Sequence, residues 1–150
     1  MRVALGSDEK TQLTDFVAET LKAMGIEVDV CGPPAGEPLE WADVGEKVAE
    51  KVSRGECDQG ILFCWTGTGV SIAANKVPGI RAALCTDAET AKGARKWNDA
   101  NVLVMSLRLT SQALAKEIIE AWFNTNSDPS EAHNIAKIKE IEKRHICSRS

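Results

Sequence analysis

The residues of this sequence that are most clearly able to take part in a chemical reaction are a cysteine and the threonines and glycines that follow it. The apolar stretch 60–63 predicts a buried strand that ends in Cys64, and the helix-like SIAANK begins a few residues later. The residues between them are small, namely Thr66, Gly67, Thr68 and Gly69. A strand that turns through glycines into a helix leaves backbone N–H groups unpaired and pointing one way. The segment therefore predicts a cradle for an anion or a developing oxyanion, with a thiol beside it. A tight turn with a buried structural cysteine is the alternative.

Short apolar runs and amphipathic stretches alternate along the rest of the chain. Valine, isoleucine, leucine and alanine dominate residues 3–5, 27–31, 60–64, 81–85 and 101–105, as in parallel strands covered on both faces. Helical spacing of apolar residues is found over 11–24, 41–52, 87–96 and 110–123. Asp8 and Asp87 are candidate N-caps, and Gly25 and Gly55 stand where helices should end.

This order of elements predicts a single α/β domain over residues 1–150. We expect a three-layer, doubly wound, five-stranded parallel sheet of the Rossmann or flavodoxin type. Ligands of such sheets bind outside the carboxyl ends of the strands, where the strand order reverses. The segments after Leu5, Cys64 and Met105 should all open onto that edge.

An additional C-terminal helix is predicted over residues 129–146. Its apolar stripe is narrow and consists of Ile135, Ile138 and Ile141. So little apolar surface favours packing on a partner subunit, or a position along the surface, over burial in the helix's own core.

Composition and charge exclude several classes of protein. The 22 acidic residues outnumber the 18 basic ones, and no basic run precedes the last few residues, which disfavours a nucleic-acid partner. No apolar stretch is long enough to span a bilayer, and the N-terminus lacks a signal-peptide pattern. Five cysteines at irregular spacing, without a CxxC pair, suggest neither a disulfide framework nor zinc. We therefore expect a cytoplasmic protein with reduced thiols, no metal and no cofactor.

Three blocks of sequence resemble the type B ribose-5-phosphate isomerase / LacA–LacB sugar-phosphate isomerase family. They read GSD near the N-terminus, then ILFCWTGTGVSIAANKVPGIRAALC, then WNDANVLVMSLR. The family usually reads GSDHAG, ILICGTGIGMSIAANKFPGIRAALC and HNDANVLALGAR. The similarity covers about residues 1–145 in the same order and with similar spacing.

The resemblance implies a metal-independent aldose–ketose isomerase acting on sugar phosphates through a cis-enediol. It also implies a homodimer, or a tetramer built from dimers, with active sites at the subunit interface. Cys64 matches the base that moves a proton between neighbouring sugar carbons, as in general acid–base catalysis. Thr66 matches a threonine that assists opening of the furanose ring.

The remaining correspondences concern substrate binding. The backbone amides of Gly67, Thr68, Gly69 and Val70 would hold the enediolate oxygen, as an oxyanion hole does. Asp8 and Asn98 match positions that touch sugar hydroxyls, and Arg108 matches an arginine that reaches toward the substrate's phosphate.

The sequence departs from the family pattern at the site itself. Glu9 replaces the histidine after GSD, Trp97 replaces the ring-opening histidine, and Trp65 replaces a glycine. The C-terminal segment, usually GGRHxxRV, reads PSEAHNIAK, which removes the family's cations at Ser130, Glu131 and Asn134. Because arginine and histidine bind phosphate through charge-assisted hydrogen bonds, a dianionic phosphate becomes a poorer guest. We therefore expect an altered pocket, although both tryptophans could pack at a dimer interface and Glu9 could favour a helix dipole.

Three hypotheses follow. The leading one is an isomerase that uses Cys64, Thr66 and Glu9 as catalytic groups. A second is a non-catalytic sugar or metabolite binder. A third is an epimerase or eliminase that uses the same thiolate on a non-phosphorylated hydroxy-carbonyl substrate. In each case the expected binding residues are Asp8, Trp65, Gly67, Thr68, Gly69, Val70, Trp97, Asn98 and Arg108.

Overall fold

The computed structural model describes residues 1–146 as an α/β domain built on one parallel sheet. Its strands are Arg2–Ser7 (β1), Glu27–Cys31 (β2), Gln59–Cys64 (β3), Ala82–Leu84 (β4) and Val102–Ser106 (β5). Its helices are Gln12–Ala23 (α1), Trp41–Ser53 (α2), Thr68–Asn75 (α3), Ala88–Asn98 (α4), Gln112–Phe123 (α5) and Ala132–Ile146 (α6). The strand order is β2-β1-β3-β5-β4, with every neighbouring pair parallel. The predicted three-layer, doubly wound fold is confirmed.

The core consists of two apolar layers, one on each face of the sheet. One layer joins α1, α4 and α5 to the strands, and Trp122 is its largest fully buried side chain. The other joins α2 and α3 to the strands through Val44, Val48 and Val70. Because both faces are covered, the central strands are continuous apolar runs and do not alternate in polarity.

The predicted element boundaries hold within a few residues, with two informative exceptions. Residues 129–131 form a 3₁₀ turn, so the C-terminal helix begins only at Ala132. The prediction that Asp8 caps the first helix is wrong. Thr11 is the N-cap, because its hydroxyl oxygen accepts a hydrogen bond from the Thr14 amide and the Thr14 hydroxyl oxygen accepts one from the Thr11 amide. Asp87 caps α4 as predicted, accepting from the Thr90 amide at 2.7 Å.

The strand order reverses between β1 and β3, which lie side by side at the centre of the sheet. From β1 the chain passes first outward to β2 and later back to β3 on the other side. This is the switch point at which α/β sheets bind ligands. The residues that follow the carboxyl ends of β1, β3 and β5 meet there, as the sequence predicted.

The C-terminal helix α6 contains no buried residue in the part of the chain that the structure describes. Hydrogen bonds attach this region to the domain: the Gly79 amide donates to Glu142 at 2.9 Å, and the Asp128 amide donates to the Lys96 carbonyl at 2.7 Å. In its stripe Ile135 is half-buried, whereas 41% of Ile138 and 48% of Ile141 are accessible. Packing of this helix on a partner subunit therefore remains a prediction. Between residues 1 and 146, no helix is long and apolar enough to cross a membrane.

Candidate active site

Cys64 is the last residue of β3 and lies at the switch point of the sheet. The turn after β5 fixes its backbone, since the Leu107 amide donates to the Cys64 carbonyl at 3.0 Å. Only 5% of the residue is exposed, yet it lines an open cavity of about 270 Å³. The other lining residues are Asp8, Trp41, Trp65, Thr66, Thr68 and Gly69. The predicted site residues Asp8, Trp65, Thr66, Thr68 and Gly69 thus share one cavity with Cys64.

The turn between Cys64 and α3 has the form that a backbone cradle requires. Gly67 is the N-cap of α3 and has a φ of 81°, in the left-handed region that favours glycine. A Cβ there would lie 2.6 Å from the Leu84 side chain and 3.3 Å from the Met105 backbone, so only glycine fits. Among the described residues, no side chain caps α3. The first amides of the helix, from Thr68 to Val70, are therefore available to an external acceptor.

Two tryptophans flank the cavity. Trp65 is 60% exposed, and Trp41, the first residue of α2, is 49% exposed. The Trp41 ring lies directly over Gly69, where a Cβ would come within 2.8 Å of it. Large exposed aromatic faces beside a cavity are well suited to stacking on the CH-rich faces of a sugar.

Trp41 is the one lining residue that the sequence reasoning missed. It stands 23 positions before Cys64, in a helix whose pattern indicated only a buried valine stripe. A topological argument could have found it. Helix α2 follows β2, so its N-terminus must lie at the same carboxyl edge of the sheet as the end of β3.

Asp8 brings the only charged side chain among the cavity-lining residues. Its Oδ1 atom is buried and has no hydrogen-bond partner in the described part of the chain. Desolvation raises the pKa of the Asp8 carboxyl, and the neighbouring charge of Glu9 raises it further. A buried acceptor without a partner is costly, so this atom is suited to receiving a hydrogen bond from a ligand hydroxyl.

The two threonine hydroxyls of the cavity form a pair. Thr66 Oγ1 and Thr68 Oγ1 lie 2.8 Å apart, and either can be the donor. Both residues are exposed toward solvent.

The other predicted site residues lie outside this cavity. Glu9 follows Asp8 and is exposed, and its amide donates to Ser7 Oγ at 3.2 Å. Arg108 is attached to the site through its backbone, because its amide donates to the Trp65 carbonyl at 2.9 Å. Trp97 and Asn98 line a separate depression beside α4, where the Trp97 ring covers Gly93. One chain therefore does not bring Trp97 and Asn98 to Cys64.

Metal ligands are not clustered at this site. Over residues 1–146, no group of three or more histidine, cysteine or acidic side chains is arranged to hold a metal ion. The arrangement instead offers a thiol, a ring of backbone donors, an unpartnered carboxylate oxygen and a pair of hydroxyls. These groups are suited to moving a proton on carbon while a neighbouring oxygen gains negative charge.

Comparisons with known proteins agree with this geometry. A profile of the ribose/galactose isomerase family matches residues 3–141. The chain is 39% identical to ribose-5-phosphate isomerase B of Escherichia coli over 145 residues, covering 95% of this chain and 97% of that protein. It is 40% identical to D-erythrulose-4-phosphate isomerase of Pectobacterium atrosepticum over 126 residues, covering 83% of each.

A solved structure, that of Clostridium thermocellum ribose-5-phosphate isomerase B, superposes with a TM-score of 0.90 at 42% identity. The similarity covers 97% of this chain and 99% of that one. The sheet that supports the cavity beside Cys64 is therefore the sheet of a known fold. The chain belongs to the ribose/galactose isomerase family.

Proposed function

We propose that the protein is an aldose–ketose isomerase that acts on a small sugar phosphate, with Cys64 as the base that transfers the proton. The observation that carries this proposal is that Cys64 and the uncapped start of α3 border the same cavity. A base and an oxyanion cradle are the two elements that enolisation next to a carbonyl requires.

The reaction can be written from these groups. In the open-chain aldose, the Cys64 thiolate removes the proton from C2, and the C–H electron pair forms the C1=C2 bond of the enediolate. Negative charge then develops on O1, where the first amides of α3 are positioned to donate to it. The C1=C2 electron pair then takes the proton back from the thiol to form the new C1–H bond. The proton of the C2 hydroxyl passes to O1, and its O–H electron pair forms the C2 carbonyl, so no atom is gained or lost.

Substrate binding is assigned to the rest of the cavity. The Asp8 carboxylate would accept from a sugar hydroxyl, and Trp41 and Trp65 would cover the carbon chain on two sides. At about 270 Å³ the cavity is at or below the lower end of the range for small-molecule sites, which favours a short substrate. The named activities of the E. coli and P. atrosepticum relatives, on five- and four-carbon sugar phosphates, are consistent with that size.

We expect the phosphate to be bound outside the cavity of a single chain, because none of the lining residues is a cation and the amides of α3 are assigned to the enediolate oxygen. Arg108, which is joined to Trp65 through its backbone, is the candidate within the chain. Trp97 and Asn98 could reach the substrate only from a second copy, which is consistent with the expected homodimer with interface sites. Glu9, placed beside Asp8, is proposed to tune that carboxyl and not to touch the reacting carbons.

The test is exchange of substrate C–H hydrogen with deuterium from solvent, followed by NMR. Cys64→Ala should abolish the exchange and leave the fold intact. Cys57→Ala is the matched control. Cys57 is also a buried cysteine, but it lies just before the start of β3, whereas Cys64 is the last residue of that strand. Full exchange in Cys64→Ala would remove the base from the proposal.

A second candidate function is supported by the charge of the cavity. Its lining has one carboxylate and no cation, which also suits a neutral hydroxy-carbonyl compound. Such a ligand could be isomerised, epimerised or dehydrated by the same thiolate, or simply bound. Product analysis by NMR, on a ketose and its phosphate ester in parallel, separates these outcomes. A bound ligand that shows no exchange would indicate a binding protein.

A further inference from the structure

The Thr66–Thr68 hydroxyl pair has a property that the proposed function does not use. Each hydroxyl carries one donor and two acceptor lone pairs, and the 2.8 Å contact between them uses one of these sites on each residue. Over the described residues, neither hydroxyl has another side-chain or backbone partner. Both hydroxyls lie on the cavity wall and both residues are exposed, so the pair links two hydroxyls that face the cavity and solvent.

The geometry of the pair is fixed by its backbone. Between the two threonines lies Gly67, which has a left-handed φ of 81° and where the Leu84 side chain and the Met105 backbone leave no room for a Cβ. Thr68 is the first residue of α3, and a β-branched side chain has few χ1 choices in a helix. The Thr66 hydroxyl is thus oriented by a neighbour that has little freedom of its own.

A pair of linked hydroxyls could assist the ring opening that must precede enolisation of a cyclic sugar. Aldopentose 5-phosphates exist mainly as cyclic hemiacetals closed through O4, and a thiolate can enolise only a free carbonyl. Ring opening needs a group that takes the proton of the anomeric hydroxyl. A four-carbon 4-phosphate has no such requirement, because its O4 is esterified and cannot close a five-membered ring.

We propose that Thr68 is a positioning residue that orients the Thr66 hydroxyl and continues its proton path to solvent during ring opening. This inference rests on the proposed isomerase function. Thr66 Oγ1 takes the proton from the anomeric O–H while giving its own proton to Thr68 Oγ1, which releases a proton to water. The O–H electron pair becomes the carbonyl bond, the C1–O4 bond breaks, and O4 takes a proton from solvent.

The test compares two substrates in three variants. Thr68→Val should lower kcat/KM for ribose 5-phosphate about tenfold or more, that is, by part of the roughly 10²- to 10⁴-fold that acid–base assistance contributes. It should leave kcat/KM for D-erythrulose 4-phosphate within about twofold of the wild-type value, because no ring must open. Thr68→Ser retains the hydroxyl and should restore the wild-type ratio. Ser71→Ala, one turn further along α3, is the matched control and should change neither value.

A double-mutant cycle shows whether Thr68 acts through Thr66. In a Thr66→Val background, Thr68→Val should cause no further loss on ribose 5-phosphate. Three outcomes would overturn the inference and leave the isomerase proposal unaffected. They are an equal loss of kcat/KM on the two substrates, no loss on either substrate, and additive losses in the double-mutant cycle. A wild-type enzyme that acts only on the four-carbon substrate would do the same. A wild-type protein inactive on both would overturn the two proposals together.

Discussion

The Ser106 hydroxyl donates to the Trp65 carbonyl at 2.9 Å and so joins the end of β5 to the residue that follows Cys64. The same hydroxyl oxygen accepts from the Leu109 amide at 3.2 Å. Only 2% of Ser106 is exposed, so water cannot replace these bonds at low cost. The position of the candidate base thus depends on a side chain from a different strand.

Ser106→Ala should therefore destabilise the protein by about 1–3 kcal/mol, because the Leu109 amide loses its acceptor. It should also lower kcat/KM, since the strand end that carries Cys64 loses an attachment. Chemical denaturation and steady-state kinetics measure the two effects. Ser53→Ala, which removes an exposed hydrogen bond to the Pro78 carbonyl, is the control and should cost clearly less. Equal losses in the two variants would contradict the argument.

Alanine substitutions at three glycines should separate backbone strain from steric conflict. Gly36→Ala introduces backbone strain without a steric conflict, because φ is 78° and nothing lies within 4 Å of the new Cβ. It should lower the free energy of unfolding by about 1–2 kcal/mol. Gly67→Ala adds contacts with Leu84 and the Met105 backbone and should cost more. The three atoms nearest to the new Cβ in Gly69→Ala all belong to the half-exposed Trp41 ring, which must shift to make room.

We accordingly expect Gly69→Ala to cost less stability than Gly67→Ala, because a half-exposed side chain must shift and not the backbone, while it alters tryptophan fluorescence and substrate affinity. Urea titrations rank the three variants, and emission spectra report the movement of the ring. If Gly69→Ala proved as destabilising as Gly67→Ala, the Trp41 ring would be held more firmly than its exposure indicates.

The raised pKa of Asp8 predicts how stability depends on pH. A carboxyl whose pKa is raised by folding contributes stability that is fully present below its unfolded value of 3.8 and is lost as pH rises through the folded value. At pH 7 the ionised Asp8 therefore destabilises the fold. Asp8→Asn should raise Tm at pH 7, with a gain that disappears in acid, and it should weaken substrate binding.

Glu9→Gln supplies the companion measurement, because the Glu9 charge contributes to the raised pKa of Asp8. This variant should give a smaller gain in Tm at pH 7 than Asp8→Asn. Thermal melts between pH 3 and pH 8 record both curves. A loss of stability in Asp8→Asn at neutral pH would show that the carboxylate already has a partner.

The cysteines should differ sharply in reactivity. Burial raises the pKa of Cys31 to about 11 and that of Cys85 to about 12, so both thiols stay protonated at pH 8. Of the four cysteines that the structure describes, Cys64, which lines the cavity, should be alkylated first by iodoacetamide. Peptide mass mapping over time assigns the sites, and a substrate analogue should protect Cys64 alone. Labelling of Cys31 at the same rate would indicate local unfolding.

The exposed stripe of α6 predicts self-association. Ile138→Lys and Ile141→Lys should shift the protein to monomers if this helix packs on a partner subunit. Light scattering coupled to size exclusion gives the mass directly. Met24→Lys, at an exposed apolar position after α1, is the control and should not change it. A wild-type monomer would contradict the prediction.

The spacing of apolar residues, together with the glycine and capping residues at the ends of elements, was sufficient to predict most of the fold. Short apolar runs identified the five strands because strands covered on both faces contain little else. Local chemistry alone predicted Asp8 as the first N-cap, and that prediction is wrong. Thr11 has the role because Thr14 completes a reciprocal pair with it, while Asp8 lies in the cavity.

By itself, the sequence determined that a thiol ends a buried strand and that glycines lead from it into a helix, since these are neighbours along the chain. Only the tertiary structure decided that Trp41 and Asp8 border the same cavity, and that Trp97 and Asn98 do not within one chain. Residues distant in sequence meet according to strand order and helix packing. Their separation in space depends on the whole sheet and is not encoded in any local pattern.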